Sequence, residues 1–351
     1  MVRLKDIAER AGVSVMTVSK ALRDEADVSV ATKARIKALA QQLGYVPDSS
    51  AQNLRSRTTK LFGLAVSSMT NPVFSRVVLA VEERARQQGY DVILGHTLNK
   101  PEQEDACLRR FLSRRVDGIF VSPVYRLGAD SGVYKEIADR RIPTVVLGHP
   151  APFCSQFVNV EADDLHASYQ MTQHLLKLGH KRIAFLAGPA ATPWTQERFE
   201  GYRRALREAG IEVDDKLVFQ AGRLIEDGAK AAAQMLSESC DATAIQAVND
   251  MVAVGCANYL LNQGVRIPQD ISITGFGNTL LSEYFRVPLT TARQPKHRLG
   301  SAAVECMMLL LNGQKPEPRR LPADLSIRAS SGTAPATPAL GRLKTNAEIT
   351  L

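Results

Sequence analysis

The sequence predicts two folds in one chain: a small all-α unit at the N-terminus and an α/β body of two lobes, each lobe a parallel sheet flanked by helices. Three observations predict this. Between Leu4 and Leu43 apolar residues recur at helical spacing in three short segments. Beyond Lys60 short strand-like runs alternate with amphipathic stretches of ordinary helix length, the pattern of βαβ units with right-handed crossovers, and the alternation runs twice. At 351 residues the chain is also too long for one small core.

Composition narrows the function classes. An apolar fraction of 45% with 23% charged residues is that of an ordinary globular protein. The net charge of +8 and a pI near 9.3 are compatible with nucleic acid or an acidic membrane surface. Location decides: residues 1–60 hold eleven Lys or Arg against six Asp or Glu, a net of +5, leaving +3 for the rest. The N-terminus lacks an apolar stretch of signal-peptide length, and no run of about 18 apolar residues occurs, so a cytoplasmic protein without membrane contact is expected. Five scattered cysteines, never spaced Cys-x-x-Cys, predict buried reduced thiols rather than disulfides or a metal site.

In the first unit the helical pattern breaks at Gly12-Val13-Ser14 and again from Arg23 to Ser29. Ile7, Ala8 and Ala11 form one buried face, Gly12 permits a tight turn, Ser14 can cap the next helix, and Val18 and Leu22 pack it back. Val15, Met16, Ser19 and Lys20 are left facing outward. This is the layout of a helix-turn-helix, whose second helix presents such positions to base edges in the major groove. An ordinary helical hairpin would share the packing but not the local cationic surplus. Asp48 to Ser56, after Pro47, is too short and too polar to hold a helix alone.

In the body, LFGLAVSS opens the first run, followed by a helix from about Val73 to Gln88, YDVILGH, a helix, DGIFVSP, a helix and IPTVVLG. VNVEADD opens the second run, with a helix through Leu178, RIAFLAG, a helix through Ala209, a segment near VFQAG, a helix through Ser237, ATAIQAV, a helix through Gln263 and DISITGF. Gln294 to Gly313 reads as one more helix, and Arg319–Leu321 with Leu325–Ile327 as a final strand pair. Residues 333–351 mix Pro, Ala, Thr and Gly without periodicity and are expected to form a disordered tail.

The stretch LKDIAERAGVSVMTVSKAL, with Val28-Ser29-Val30-Ala31-Thr32 and Leu43-Gly44-Tyr45-Val46-Pro47 after it, resembles the LacI/GalR family of bacterial transcription regulators. The body carries further similar stretches, among them Ser68 to Phe74, His174 to Ile183, Arg198 to Tyr202, Ala247 to Gly255 and Val265 to Phe276. The resemblance implies a headpiece over 1–46, a hinge over 47–60, and a periplasmic-binding-protein-like effector and dimerisation domain over 61–332. Its first lobe covers about 61–160 plus 293–320, and its second about 161–292 plus 321–332. A repressor role is implied: a homodimer reading a palindromic double-stranded DNA operator, controlled by a small-molecule effector such as a sugar, a sugar acid or another small metabolite. No resident cofactor or metal is implied.

The same resemblance supplies site residues. Val15, Met16, Thr17, Ser19 and Lys20 would read DNA: a lysine can donate to guanine O6 and N7, whereas Val15 and Met16 offer apolar contact to a thymine methyl. In the hinge, Leu54 would wedge into the minor groove with Ala51 one turn earlier on the same face. Asp48 and Gln52 stand where the family usually has Asn and Arg: Asp48 is unfavourable near phosphate unless it caps the hinge helix, and Gln52 removes one cation. In the cleft, Asn71, Phe74 and His149 of the first lobe and Trp194, Arg198 and Asn249 of the second would meet the effector. Arg198, read as opening a helix, could clamp a carboxylate or paired hydroxyls, and Phe74 and Trp194 offer stacking faces. Gly277 stands where sugar-responsive members usually have Asp, so the resemblance implies Asn278 as a substitute contact and gives weight to an acidic or differently shaped effector.

Two other functions meet contrary evidence. No Gly-Lys-Ser/Thr phosphate loop, His-Glu-x-x-His, Gly-x-Ser-x-Gly or Gly-x-Gly-x-x-Gly occurs to support an enzyme. A transport-binding protein would explain two lobes but not residues 1–60.

Overall fold

A computed structural model describes residues 2–45, 58–126, 128, 131–338 and 340, and divides the chain into two units, Met1–Thr59 and Lys60–Leu351. In the first unit α1 (Leu4–Ala11), α2 (Val15–Leu22) and α3 (Val30–Gln42) close on Ile7, Ala8, Val18, Ala21, Ile36 and Ala40. Gly12 ends α1 at φ 63°, in the left-handed region where a Cβ costs energy, which turns the chain sharply into α2. Ser14 and Ser29 cap α2 and α3, each accepting a hydrogen bond from the amide three residues on.

The first sheet of the body contains β1 (Leu61–Val66), β2 (Asp91–His96), β3 (Gly118–Val121), β4 (Thr144–Leu147), β5 (Val158–Ala162) and β11 (Arg319–Leu321), ordered β11-β5-β4-β3-β1-β2 and wholly parallel. Phe62, Leu64 and Val66 alternate onto one face, covered by α4 (Pro72–Gln87) and α11 (Lys296–Leu311). Ala65 and Ile119 lie on the other, under α5 (Pro101–Ser113) and α6 (Gly132–Asp139). Burial on both faces explains why these strands read as continuous apolar runs.

The second sheet contains β6 (Ile183–Ala187), β7 (Val218–Gln220), β8 (Ala244–Ala247), β9 (Ser272–Phe276), β10 (Thr290–Arg293) and β12 (Asp324–Ser326), ordered β12-β10-β9-β8-β6-β7 with β12 antiparallel. One face packs on α9 (Ile225–Ser237) and α10 (Asp250–Asn262), the other on α7 (Asp164–Lys177) and α8 (Pro193–Glu208). Helices α9 and α10 meet through glycines: a Cβ on Gly255 would sit 1.8 Å from the Ile225 carbonyl oxygen, and one on Gly228 2.1 Å from that of Val252. That close approach sets the starts of both helices side by side.

The chain passes between lobes three times, after β5, after β10 and after β11. Three sequence expectations are corrected here. Val158–Ala162 does not open the second lobe: only one short 3₁₀ turn, Pro152–Cys154, separates β4 from β5, so the strand returns beside β4 and the crossing follows it. Arg319–Leu321 and Asp324–Ser326 do not pair with each other. Their connection, Pro322-Ala323, has no positive φ to make a tight hairpin, and the extended chain runs from one sheet edge to the other. The tail is packed as far as it is described. Ala334 N donates to the Leu178 carbonyl at 2.9 Å, and Leu340 is buried in the second-lobe core. Isolated anchors of this kind leave no periodic trace in a sequence.

Candidate functional site

The Ser14 cap fixes the start of α2: its Oγ accepts from Thr17 N at 3.1 Å and lies 2.9 Å from Thr17 Oγ1, so the Thr17 hydroxyl is engaged with the cap. Val15 and Met16 stand free, 45% and 55% exposed, while Val18 and Ala21 bury the opposite face. Large apolar side chains held out by a rigid turn carry an unfavourable hydration cost that a partner surface can relieve. Ser19 is half-buried, and its carbonyl accepts from Arg23 Nε at 3.1 Å. Lys20 is half-buried with its ammonium on the Asp27 carboxylate, a hydrogen bond that raises its pKa and lowers that of Asp27. Ala51, Leu54, Asp48 and Gln52 lie outside the described residues.

In the body a cleft with a cavity of about 290 Å³ is lined from both lobes, at the carboxyl ends of the strands. Asn71, Phe74, His149, Trp194, Arg198 and Asn249 all line it. Asn71 caps α4, its Oδ1 accepting from Val73 N at 3.0 Å; Asn249 caps α10, its Oδ1 accepting from Val252 N at 2.8 Å and its Nδ2 donating to the Arg223 carbonyl at 3.1 Å. Phe74 and Trp194 are half-buried, each backed by the apolar core of its lobe.

Arg198 stands in the second turn of α8 rather than at its opening, because the helix begins at Pro193. It is 6% exposed, and its guanidinium lies over the Phe276 ring with 3.6 Å to the centroid. Nε and Nη2 donate to Asp164 Oδ1 at 3.2 and 2.9 Å, and Nη1 donates to the Val248 carbonyl. The planar fork is therefore already satisfied within the protein. Asp164 also meets His149: Nε2 lies 3.1 Å from Asp164 Oδ2, and Nδ1 lies 2.8 Å from Glu161 Oε2. Burial alone would lower the His149 pKa, but the bonds to Asp164 and Glu161 outweigh it and raise the value to about 9. His149 is thus an imidazolium at neutral pH. Burial would raise the Asp164 carboxyl, but the Arg198 charge and the His149 contact hold it below its ordinary value. Arg320 of β11 joins the same network, donating to Glu161 at 3.1 Å, Asp163 at 2.9 Å and Glu197 at 2.7 Å. The network spans the lobes where the chain crosses.

Asn278 is not part of this cleft. Gly277, at φ 139°, turns the chain so that the Asn278 side chain accepts from Arg328 Nη2 at 2.6 Å, and Thr279 takes the place at the cavity wall. Sequence reasoning also passed over Glu161, Asp164, Arg223, Asp250 and Thr279, all cleft-lining. For Arg223 a signal existed: it follows the VFQAG strand at its carboxyl end.

Residues 59–329 match the family model described as periplasmic binding proteins and sugar binding domain of LacI family, and residues 3–48 match bacterial regulatory proteins, lacI family. The HTH-type transcriptional repressor PurR of Vibrio atlanticus is 34% identical over 91% of this chain and 95% of its own length. The HTH-type transcriptional repressor CytR of Escherichia coli K12 is 31% identical over 95% and 97%. Among solved structures, the lac repressor dimer bound to operator and the anti-inducer ONPF is similar with a TM-score of 0.85 at 29% identity, covering 94% of this chain and 99% of that one. A CelR–cellobiose complex is similar with a TM-score of 0.71 at 28% identity, covering 94% and 100%.

Proposed function

The chain belongs to the LacI family of bacterial transcription regulators, and from that premise we propose that it represses genes by binding a palindromic operator as a homodimer, controlled by a small-molecule effector in the interlobe cleft. The observation that carries the reading is the pairing, in one chain, of exposed Val15 and Met16 on a capped second helix with a two-lobed cleft of ligand size. Residues 1–46 read the DNA, 47–60 form the hinge, and 61–332 bind the effector and the second copy. Val15, Met16, Thr17, Ser19 and Lys20 face the major groove, and Ala51 and Leu54 the minor groove. Asn71, Phe74, His149, Trp194, Arg198 and Asn249 surround the effector.

A dimer follows from economy: one small headpiece buries too little surface for specific affinity, and two-fold protein symmetry is mirrored in a palindrome. Control follows from a population shift, in which a ligand binding one lobe arrangement better than another alters how the two hinges pair. The protein works in the cytoplasm, where its DNA lies; no helix among the described residues is long and apolar enough to cross a membrane. We assign it no catalytic step.

The test is selection of random duplex DNA by the purified protein, with and without a metabolite panel, and affinity of the winners followed against salt. The expected result is a palindrome whose affinity falls steeply with salt as counterions are released. Enrichment of no sequence, or of one without two-fold symmetry, overturns the reading.

A further inference from the structure

The charged side chains lining the cleft are almost all matched. His149 lies between Glu161 and Asp164, and Arg198 is spent on Asp164 and the Val248 carbonyl. Asp250 uses one oxygen for the Thr291 hydroxyl and the other for Thr279 N at 2.7 Å, and the Lys296 ammonium is close enough to feel its charge. Arg223 is different. It lines the cavity half-buried, and its guanidinium makes no hydrogen bond or ion pair to any described residue. Its nearest counter-charge, Asp227, is out of ion-pair reach and accepts instead from the Arg223 and Leu224 amides, so burial lowers the Arg223 pKa more than that charge raises it. A guanidinium partly withdrawn from water without a bonded counter-ion is costly, and the cost is recovered when an anion arrives.

A second, independent group points the same way. The Thr279 hydroxyl is buried, its residue only 7% exposed, and it has no hydrogen-bond partner although it lines the cavity. Buried hydroxyls are normally paired. Both groups abut the start of α10: the Arg223 carbonyl is held by Asn249, and Thr279 N by Asp250. In the first turn of that thirteen-residue helix the Val252 amide is taken by the Asn249 cap, the Asp250 and Met251 amides have no intrahelical acceptor, and Met251 lines the cavity.

We propose that the effector carries an acidic group, a carboxylate or phosphate, received on the second-lobe wall by the Arg223 guanidinium, the Thr279 hydroxyl and the start of α10. The inference rests on the cleft being the effector site and adds the chemical class of its ligand.

The test uses the full chain and matched probes, each acid beside its neutral counterpart: glucose 6-phosphate and glucose, gluconate and sorbitol, galacturonate and galactose, AMP and adenosine. Thermal shift finds the tightest probe, and calorimetry gives its affinity for the parent chain and for Arg223→Gln, Arg223→Lys, Thr279→Val and Trp194→Ala. The expected result is an acidic probe as tightest, weakened at least about tenfold by Arg223→Gln, less by Arg223→Lys, and weakened by Thr279→Val. A neutral probe as tightest, an acidic one indifferent to Arg223→Gln, or no acidic probe binding at all overturns the inference. Sensitivity to Trp194→Ala separates the two levels. A tightest probe indifferent to both Arg223→Gln and Trp194→Ala defeats the cleft reading itself, whereas one sensitive to Trp194→Ala alone defeats only the acidic-group inference.

Discussion

Replacing His149 by Asn removes a buried cation from between Glu161 and Asp164, and the structure states how the loss must depend on pH. The imidazolium is disfavoured by burial, yet its two carboxylate partners lift its pKa from 6.5 to about 9. A raised folded-state pKa means that the native protein holds a proton the unfolded chain releases. The resulting stability is complete below pH 6.5 and disappears as pH rises through about 9. That gap corresponds to roughly 3 kcal/mol. Urea unfolding followed by Trp194 fluorescence, the single tryptophan, at pH 6 and pH 9.5 gives the quantity for parent and His149→Asn. The parent should lead the variant at pH 6, and its lead should shrink by roughly 3 kcal/mol by pH 9.5. His174 and His180, whose pKa values burial lowers, and Cys154 and Cys256, whose thiols burial raises to about 11 and about 12, also contribute slopes. These are common to both proteins and cancel in the difference. A lead that is the same at both pH values refutes the claim that His149 is a charged member of the network.

In the first unit, Lys20→Ala should weaken operator binding by roughly tenfold and relax the preference for guanine at one base pair of each half-site, and Asp27→Asn, which frees the Lys20 ammonium, should tighten binding by roughly a few fold. Fluorescence anisotropy on the operator and on its single-base variants measures both, and a Lys20→Ala protein that keeps both affinity and base preference removes Lys20 from the interface. Leu54→Ala should weaken operator binding by roughly tenfold while leaving effector affinity of the DNA-free protein unchanged, read by anisotropy and calorimetry. Equal operator affinity would dismiss Leu54 as the wedge.

What the sequence disclosed follows from which interactions are local. The three helices of the first unit were legible because caps and turns are local: Ser14, Ser29 and Gly12 act on residues within four positions. The alternation of strands and helices was legible because each strand is buried on both faces. Strand destination was not, since β11 and β12 are three residues each and their sheets are chosen by distant partners, Val160 and Thr291 among them. In the cleft, family position brought out Asn71, Phe74, His149, Trp194, Arg198 and Asn249. Chain order could not reveal that Arg198 and Asp164, 34 residues apart, neutralise each other, or that the Arg223 guanidinium is left without a bonded partner among the described residues. Asn278 illustrates the opposite error, because one backbone angle at Gly277 decides whether residue 278 or 279 meets the cavity.

The ion network gives the coupling between cleft and DNA a physical route. Arg198 and Glu197 belong to the second lobe, His149, Glu161 and Arg320 to the first, and Asp164 stands immediately after one of the three crossings. A change in lobe angle must lengthen some of these contacts, and packed charged groups with 2.7–3.1 Å contacts tolerate discrete rearrangements better than gradual stretching. A ligand that favours one arrangement therefore acts on both lobes at once. Linkage then fixes a relation independent of any route: the factor by which the effector changes operator affinity must equal the factor by which operator changes effector affinity. With the selected palindrome and the tightest probe, calorimetry on the free protein and on the protein–DNA complex should return the same ratio as anisotropy with and without the probe. Asp164→Asn should bring that ratio closer to one, because it unties Arg198 and His149 from each other across the lobes. A variant that keeps the full ratio, while still folding and binding both ligands, would show that the coupling does not run through this network.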